Sequence, residues 1–167
     1  MGTEIERKFL LANSSWRGQV SRSVHMHQGY LAGSDTCSIR VRLTDHEARM
    51  NIKSATLGIE RQEFDYAIQQ GDAVVMLRDL CGARTLEKTR HFVLFAGHEW
   101  EIDEFAGVNA GLIVAELELT AQDDAFAAPP WLGAEVSSAH RYYNSRLAEH
   151  PFAVWSESEK TPPVGGK

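Results

Sequence analysis

At 167 residues, 43% of them hydrophobic and 24% charged, the chain has the balance of one ordinary globular domain with enough apolar side chains for a sizeable core. A formal net charge of −6 argues against a nucleic-acid or anionic-membrane surface, which needs a basic excess, so any basic site must be local. No apolar run approaches the ~20 residues of a membrane span, Thr3–Lys8 is too charged for a signal peptide, and Cys37 and Cys81 match no metal spacing and read as reduced structural thiols, so the expected setting is cytoplasmic.

Taken in order, the chain predicts strands with a few helices set between them. In Glu4-Ile5-Glu6-Arg7-Lys8-Phe9 the charges of Glu4, Glu6 and Lys8 share one face of a strand, and Ile5 and Phe9 share the other. Asn13-Ser14-Ser15-Trp16 reads as a turn or helix start. His25–Leu31 predicts a second strand, Gly33-Ser34-Asp35 a turn, Cys37–Leu43 a third strand, and Thr44-Asp45-His46-Glu47 a tight hairpin into the strand that carries Lys53. Ser54–Gly58 turns again before a fifth strand over Ile59–Ile68. No helix long enough for a parallel crossover separates these five, so the sheet should be antiparallel. Asp72 should cap a helix with apolar residues at Val74, Leu77, Leu80 and Cys81, stopped by Gly82. A hairpin over Arg84–Leu94 and His98–Phe105 follows, then an eighth strand over Leu112–Thr120. Thr120 should cap a short helix ending before Pro129-Pro130, and Ser137 or Ser138 should start a last helix through Leu147. These elements bound a single domain at 1–150; the tail 151–167, rich in Ser, Glu, Pro and Gly from Ser156, should be largely disordered.

The charge alternation recurs. Ile39-Arg40-Val41-Arg42-Leu43 interleaves aliphatics with arginines, and Ala115-Glu116-Leu117-Glu118-Leu119 interleaves them with glutamates; Asn51-Ile52-Lys53, Arg61–Asp65, Lys88-Thr89-Arg90 and Glu101-Ile102-Asp103 repeat the theme less cleanly. On an ordinary half-buried strand the polar face is simply the wet one. Solvated faces usually mix Thr, Ser, Gln and Lys, whereas these are almost wholly charged and carry like-charge pairs that repel without a counter-charge. They make sense if they converge. Eight mostly antiparallel strands can close into a barrel, so the expected fold is α+β and mostly antiparallel: an eight-stranded closed barrel, a tunnel with a charged lumen and helices packed outside. Its basic set would be Lys8, Arg40, Arg42, Lys53, Lys88 and Arg90, with Arg61, Arg84 and Arg141 as additions, a collection suited to several phosphates in a row. Its acidic set would be Glu4, Glu6, Asp103, Glu116 and Glu118, with Glu63 and Glu101 as additions. Clustered carboxylates without His or Cys select hard cations such as Mg2+ or Mn2+, and metal plus a basic clamp is the equipment of phosphoryl transfer.

With these residues in view, the chain resembles the CYTH superfamily, the triphosphate tunnel metalloenzymes. Glu4-Ile5-Glu6-Arg7-Lys8 matches the family's E-x-E-x-K signature, and R-x-R, K, K-x-R, D and E-x-E follow in family order over residues 3 to 147. The resemblance implies divalent-metal dependence and triphosphate substrates. It implies metal ligands at Glu4, Glu6, Asp103, Glu116 and Glu118, and phosphate-binding cations at Lys8, Arg40, Arg42, Lys53, Lys88 and Arg90. Arg141 is the one basic residue that could serve from the last helix. Tyr30, in Gln28-Gly29-Tyr30-Leu31, looks like the strand-two tyrosine of the short bacterial tripolyphosphatase-like members. The catalytic set this implies is Glu4, Glu6, Lys8, Tyr30 and Lys88.

The remaining polar residues read more plainly. The seven histidines show no ligand spacing tied to a carboxylate cluster, His27 being the one to watch, and the tryptophans lack the basic stripe of a base-stacking platform. Ser38, Ser54 and Thr89 have no nearby base, which favours water activated by a metal ion as the attacking group. The expected activity is a triphosphate hydrolase acting on inorganic tripolyphosphate. A class IV-like adenylate cyclase using the same cations, and a non-catalytic polyphosphate or nucleotide-triphosphate binding module, are the alternatives. The expected partner is a small triphosphate, with neither nucleic acid nor membrane. Oligomeric state is left open, a homodimer among the options.

Overall fold

The computed structural model describes residues 2–33, 36–54 and 60–161, with the side chains of residues 2–4, 32, 33, 60 and 61 outside that description. The expected turns at Ser34-Asp35 and beyond Ser54, and the chain past Thr161, therefore fall outside the described residues. Among the described residues nine strands form one sheet: β1 (Gly2–Leu11), β2 (Val20–Gly33), β3 (Cys37–Leu43), β4 (Ala48–Ser54), β5 (Glu60–Ile68), β6 (Thr85–Phe95), β7 (His98–Phe105), β8 (Ile113–Leu119) and β9 (Leu132–Glu135). Their order is β5-β4-β3-β2-β6-β7-β8-β1-β9, and every pairing is antiparallel, as the absence of a crossover helix in the first half of the chain requires. One further antiparallel pairing sets Gly2–Ile5 of β1 against Glu60–Glu63 of β5, but the sheet is not closed, so the antiparallel, strand-rich fold stands where a closed barrel was expected. No helix among the described residues is long and apolar enough to cross a membrane.

Strand parity sorts the side chains as the alternation predicts. The apolar face of β1, β7 and β8 sends Ile5, Phe9, Trp100, Ile102, Ala115 and Leu117 into the main core, closed by Trp16 and Trp131. On β3, Val41 is fully buried with Ala48 beneath Ala73, Leu77 and Cys81. The opposite face of four neighbouring strands runs from apolar to charged within a few residues: Leu10 to Lys8 and Glu6, Leu86 to Lys88 and Arg90, Phe105 to Asp103 and Glu101, Val114 to Glu116 and Glu118. The apolar ends of these rows pack under Val136, Tyr142, Leu147 and Trp155 from the C-terminal segment, so one end of the charged face rests on a second core.

Several local expectations are corrected. Nine strands stand where eight were expected, because Leu132–Glu135 is too short and polar to announce itself; it pairs with Phe9–Leu11, and Gly133 permits the approach, since a Cβ there would lie 2.8 Å from the Leu10 carbonyl oxygen. Asp72 lies in the first turn of α1 (Gln70–Val75) but makes no side-chain cap; the helix starts after Gln69, continues as one π-type turn over Met76–Leu80 and ends at Gly82, whose φ is +58°. Gly29 is what lets this segment lie on β2, for a Cβ there would come within 2.7 Å of Cys81 Sγ. No helix follows Thr120; instead Asp124 accepts from the Thr120 and Ala121 amides and from the Thr120 hydroxyl. The last helix is split into a 3-10 turn over His140–Tyr142 and α2 (Asn144–Glu149). The tail expected to be disordered is folded through Thr161: Trp155 is buried against Tyr142, and Ser156 and Glu159 form a reciprocal capping box on α3 (Glu157–Lys160).

Candidate active site

Strands β1 to β8 each contribute to a single cavity of about 230 Å³ whose walls are almost wholly polar. Glu6 and Lys8 enter from β1, Tyr30 from β2, Arg40 and Arg42 from β3, Lys53 from β4, Lys88 and Arg90 from β6, and Glu116 and Glu118 from β8. Glu63 and Glu101 line it as well. The period of two explains this convergence: residues opposed across a ladder share a face, and Lys8↔Glu116, Glu6↔Glu118, Arg90↔Asp103, Glu101↔Glu116 and Lys53↔Glu63 are all opposed.

The wall built by β6, β7, β8 and β1 is an internally paired ion network. Lys8 Nζ bonds Glu116 and lies 3.6 Å from Glu6. Arg90 holds Asp103 with Nε and Nη2, each at 2.7 Å, reaches Glu116 at 2.5 Å and also bonds Glu101, while Lys88 Nζ bonds Asp103. Burial alone would discourage every one of these charges. For Lys8 it is outweighed by Glu116 and Glu6, which hold the ammonium above the ordinary lysine range. For Glu116 it is outweighed by Lys8, Arg90 and Lys88, which hold the carboxyl well below its ordinary value. Asp103 is likewise kept low by Arg90 and Lys88. Lys88 behaves differently: burial and the neighbouring Arg90 push it down to about 8, and Asp103 recovers only part of the loss, since that carboxylate is shared with Arg90. Glu101 is raised by burial against the pull of Arg90, with help from Glu116 and Asp103.

The facing wall, from β2 to β5, holds donors that the protein leaves unmet. Arg40 Nη2 donates to Asn51 Oδ1 at 2.9 Å, and Asn51 in turn donates to Glu63 at 3.0 Å and to Asp65. The Nε atoms of Arg40 and Arg42 are buried without a partner among the described residues. Burial, then repulsion by Arg40 and Arg90, depresses Arg42, whose guanidinium nevertheless remains charged. Gln28, opposed to Arg42 in the β2–β3 ladder, is 1% exposed with neither amide atom partnered among the described residues.

Not every expected residue joins them. Asp103 is fully buried beneath Lys88 and Arg90 and sits behind the wall. Arg141 is away from the cavity, donating to the Thr161 carbonyl at 3.0 Å with its guanidinium near the rings of Tyr142 and Trp155. Arg84 donates to the Leu31 carbonyl, and His27 has the strand parity opposite to Gln28 and Tyr30. The side chains of Glu4 and Arg61 lie outside the described residues. Conversely, Gln28, Asn51 and Asp65 line the cavity unforeseen, although they share parity with Tyr30, Lys53 and Glu63; Tyr143, Asn144 and Ser145 also line it, and no sequence period announces them. Among the described residues no three His, Cys, Asp or Glu side chains converge on one ligand position, because Lys8, Lys88 and Arg90 stand between the carboxylates.

The model of the CYTH domain matches residues 2–148. The chain is 37% identical over 157 residues to an inorganic triphosphatase of Acetivibrio thermocellus, covering 94% of this chain and all of that one. It is 39% identical over 150 residues to an inorganic triphosphatase of Nitrosomonas europaea, covering 87% of this chain and 97% of that one. Among solved structures, an inorganic triphosphatase superposes with a TM-score of 0.66 at 36% identity, covering 89% of this chain and 95% of the other. A Hippeastrum protein described as an adenylyl cyclase with a dominant triphosphatase activity shares the fold, with a TM-score of 0.54 at 16% identity over 71% of this chain and 80% of that one.

Proposed function

The chain belongs to the CYTH domain family, and from that premise we propose that it is a divalent-metal-dependent triphosphatase that hydrolyses inorganic tripolyphosphate in a tunnel enclosed by β1 to β8. The observation that carries this reading is the asymmetry of the cavity: a carboxylate-rich wall on one side and, on the other, buried guanidinium Nε atoms with no partner among the described residues. The contribution of all eight strands to one cavity, together with the β5–β1 pairing, supports the tunnel. The name borne by two relatives at 37% and 39% identity supports the substrate.

In this reading Arg40, Arg42 and Lys53 hold the phosphoryl oxygens on the β2–β4 wall, while Lys8, Lys88 and Arg90 reach them from across the cavity. Mg2+ or Mn2+ would be held by Glu6, Glu116 and Glu118, with Glu4 as a further oxygen donor, once Lys8 and Arg90 exchange Glu116 for the phosphates; hard oxygen donors suit these ions, while Asp103, behind the wall, holds Lys88 and Arg90 in place. When bound, such an ion neutralises charge on phosphoryl oxygens and makes water a stronger nucleophile. Water attacks a terminal phosphorus, the phosphoanhydride P–O bond breaks, and orthophosphate and pyrophosphate leave. Lys8 and Tyr30 orient the chain of phosphates. Lys88, pushed down to about 8, would hold a proton at Nζ for the oxygen that gains charge.

Incubation of the purified protein and Mg2+ with tripolyphosphate, ATP and thiamine triphosphate in turn tests the assignment. Preferred phosphate release from tripolyphosphate is expected. Cyclic AMP from ATP would make the protein a cyclase, and saturable binding without turnover would make it a binding module.

A further inference from the structure

Gln28 is the most deeply buried group in the cavity that no ion pair explains. Its side chain is 1% exposed, lines the cavity, and has both Nε2 and Oε1 without a partner among the described residues. A buried amide left unpaired is a standing cost to the free protein. The neighbours do not relieve it: Leu86 is opposed to it on β6 and offers no polar atom, and Arg42 is opposed on β3 with its own Nε equally unmet. Gly29, next along β2, lies so close to Cys81 that a Cβ there would come within 2.7 Å of Sγ, so this face of the strand is tightly covered beside Gln28. Three unmet polar groups, Gln28, Arg40 Nε and Arg42 Nε, thus lie together on two adjacent strands facing one space.

Resting on the triphosphatase reading, we infer that Gln28 is a substrate-contacting residue: its Nε2 donates to an oxygen of the phosphoryl group that Arg42 binds, and its Oε1 accepts from a water molecule hydrating that group. A neutral amide suits this place because a further cation beside Arg40 and Arg42 would add to the repulsion that already depresses Arg42, while a carboxylate would repel the anion. The residue thereby favours an oxygen-rich, doubly solvated group over an apolar one at this end of the cavity.

The test compares Gln28→Met and Gln28→Glu with the wild type by thermal melting and by tripolyphosphate kinetics with Mg2+. Loss of a hydrogen bond to a charged group should raise KM roughly tenfold in Gln28→Met with kcat little changed. The melting temperature should hold or rise, because an unmet buried amide has been removed. Gln28→Glu should raise KM further while its carboxylate, paired with Arg42, raises the melting temperature. A structural amide predicts the reverse: both variants melt lower or fail to fold, and the folded fraction keeps the wild-type KM. Either of those results overturns the inference. Failure of the wild type itself to turn over tripolyphosphate would refute the triphosphatase reading instead, so the two failures are separable.

Discussion

Glu6 of β1 and Glu118 of β8 are directly opposed across the antiparallel ladder and face the same cavity. Two carboxylates in that relation repel, and one ladder step away Lys8 and Glu116 occupy the same register as a bonded pair of opposite charge. Lys8, 3.6 Å from Glu6, offsets part of this repulsion, and a divalent cation seated between the two carboxylates would offset more. Glu6→Gln and Glu118→Gln preserve the shape of the side chain and should keep the fold. Each should lower metal-dependent turnover on the order of 10²–10³-fold, the usual effect of deleting one group that stabilises developing charge. Near wild-type hydrolysis by either variant at saturating Mg2+ would remove that residue from the metal site.

The two faces of β3 should respond to mutation in opposite ways. Val41 is fully buried under α1, so Val41→Ala should cost about 1–3 kcal/mol of stability while activity per folded molecule is little changed. Arg42→Gln relieves repulsion by Arg40 and Arg90, so stability should hold or rise. Affinity for tripolyphosphate should fall by about 1.5–3 kcal/mol, the range for a hydrogen bond to a charged group. Paired melts and titrations read both at once, and unfolding of Arg42→Gln beside loss of binding in Val41→Ala would invert the assignment of faces.

Lys88 sets a pH dependence. Its pKa is depressed to about 8, and the protonated form is the one that meets phosphate, so kcat/KM should fall above about pH 8. Lys88→Arg cannot titrate in this range and should shift the alkaline limb upward, whatever its maximal rate. The same shift acts on folding: between about pH 8 and the ordinary lysine value near 10.4, the unfolded chain binds more protons at this group than the folded one. This group's share of stability therefore rises with pH across that window, its penalty being fully present below about 8. An alkaline limb unmoved in Lys88→Arg assigns the titration to another group.

Ligand and metal together should stabilise the fold by mass action. Tripolyphosphate with Mg2+ at ~100 times its dissociation constant should add about 2.7 kcal/mol, which thermal melting resolves easily. Arg40→Met should blunt the rise, since Arg40 Nε is one of the donors left unmet in the free protein. No shift with any polyphosphate at millimolar concentration would contradict a phosphate-binding cavity.

Much of the site is legible in the sequence because a strand enforces a period of two. Arg40 and Arg42, Glu116 and Glu118, Lys88 and Arg90 could not avoid sharing faces once their strands were recognised. What the period does not reveal is which charges bond one another: that Arg90 gathers Glu101, Asp103 and Glu116, and that Asp103 sinks behind Lys88, follow from ladder register between strands distant in sequence. Gln28 is uncharged and precedes a glycine, so it carries no alternation signal, although Tyr30 fixes its parity. Arg141 shows the opposite: a basic side chain points to the cavity on chemistry alone, but the carbonyl of Thr161 and the rings of Tyr142 and Trp155 hold it elsewhere. The tail followed composition into an expectation of disorder that one buried tryptophan, Trp155, and one capping box overrule.

The most direct measurement is orthophosphate release from tripolyphosphate by the purified wild-type protein, begun with Mg2+ and then interrupted with excess EDTA. A two-walled cavity of carboxylates and unmet guanidinium groups predicts release that starts with metal, stops on chelation and resumes when Mg2+ is restored. Absence of release with Mg2+ or Mn2+, or release indifferent to the chelator, would contradict it.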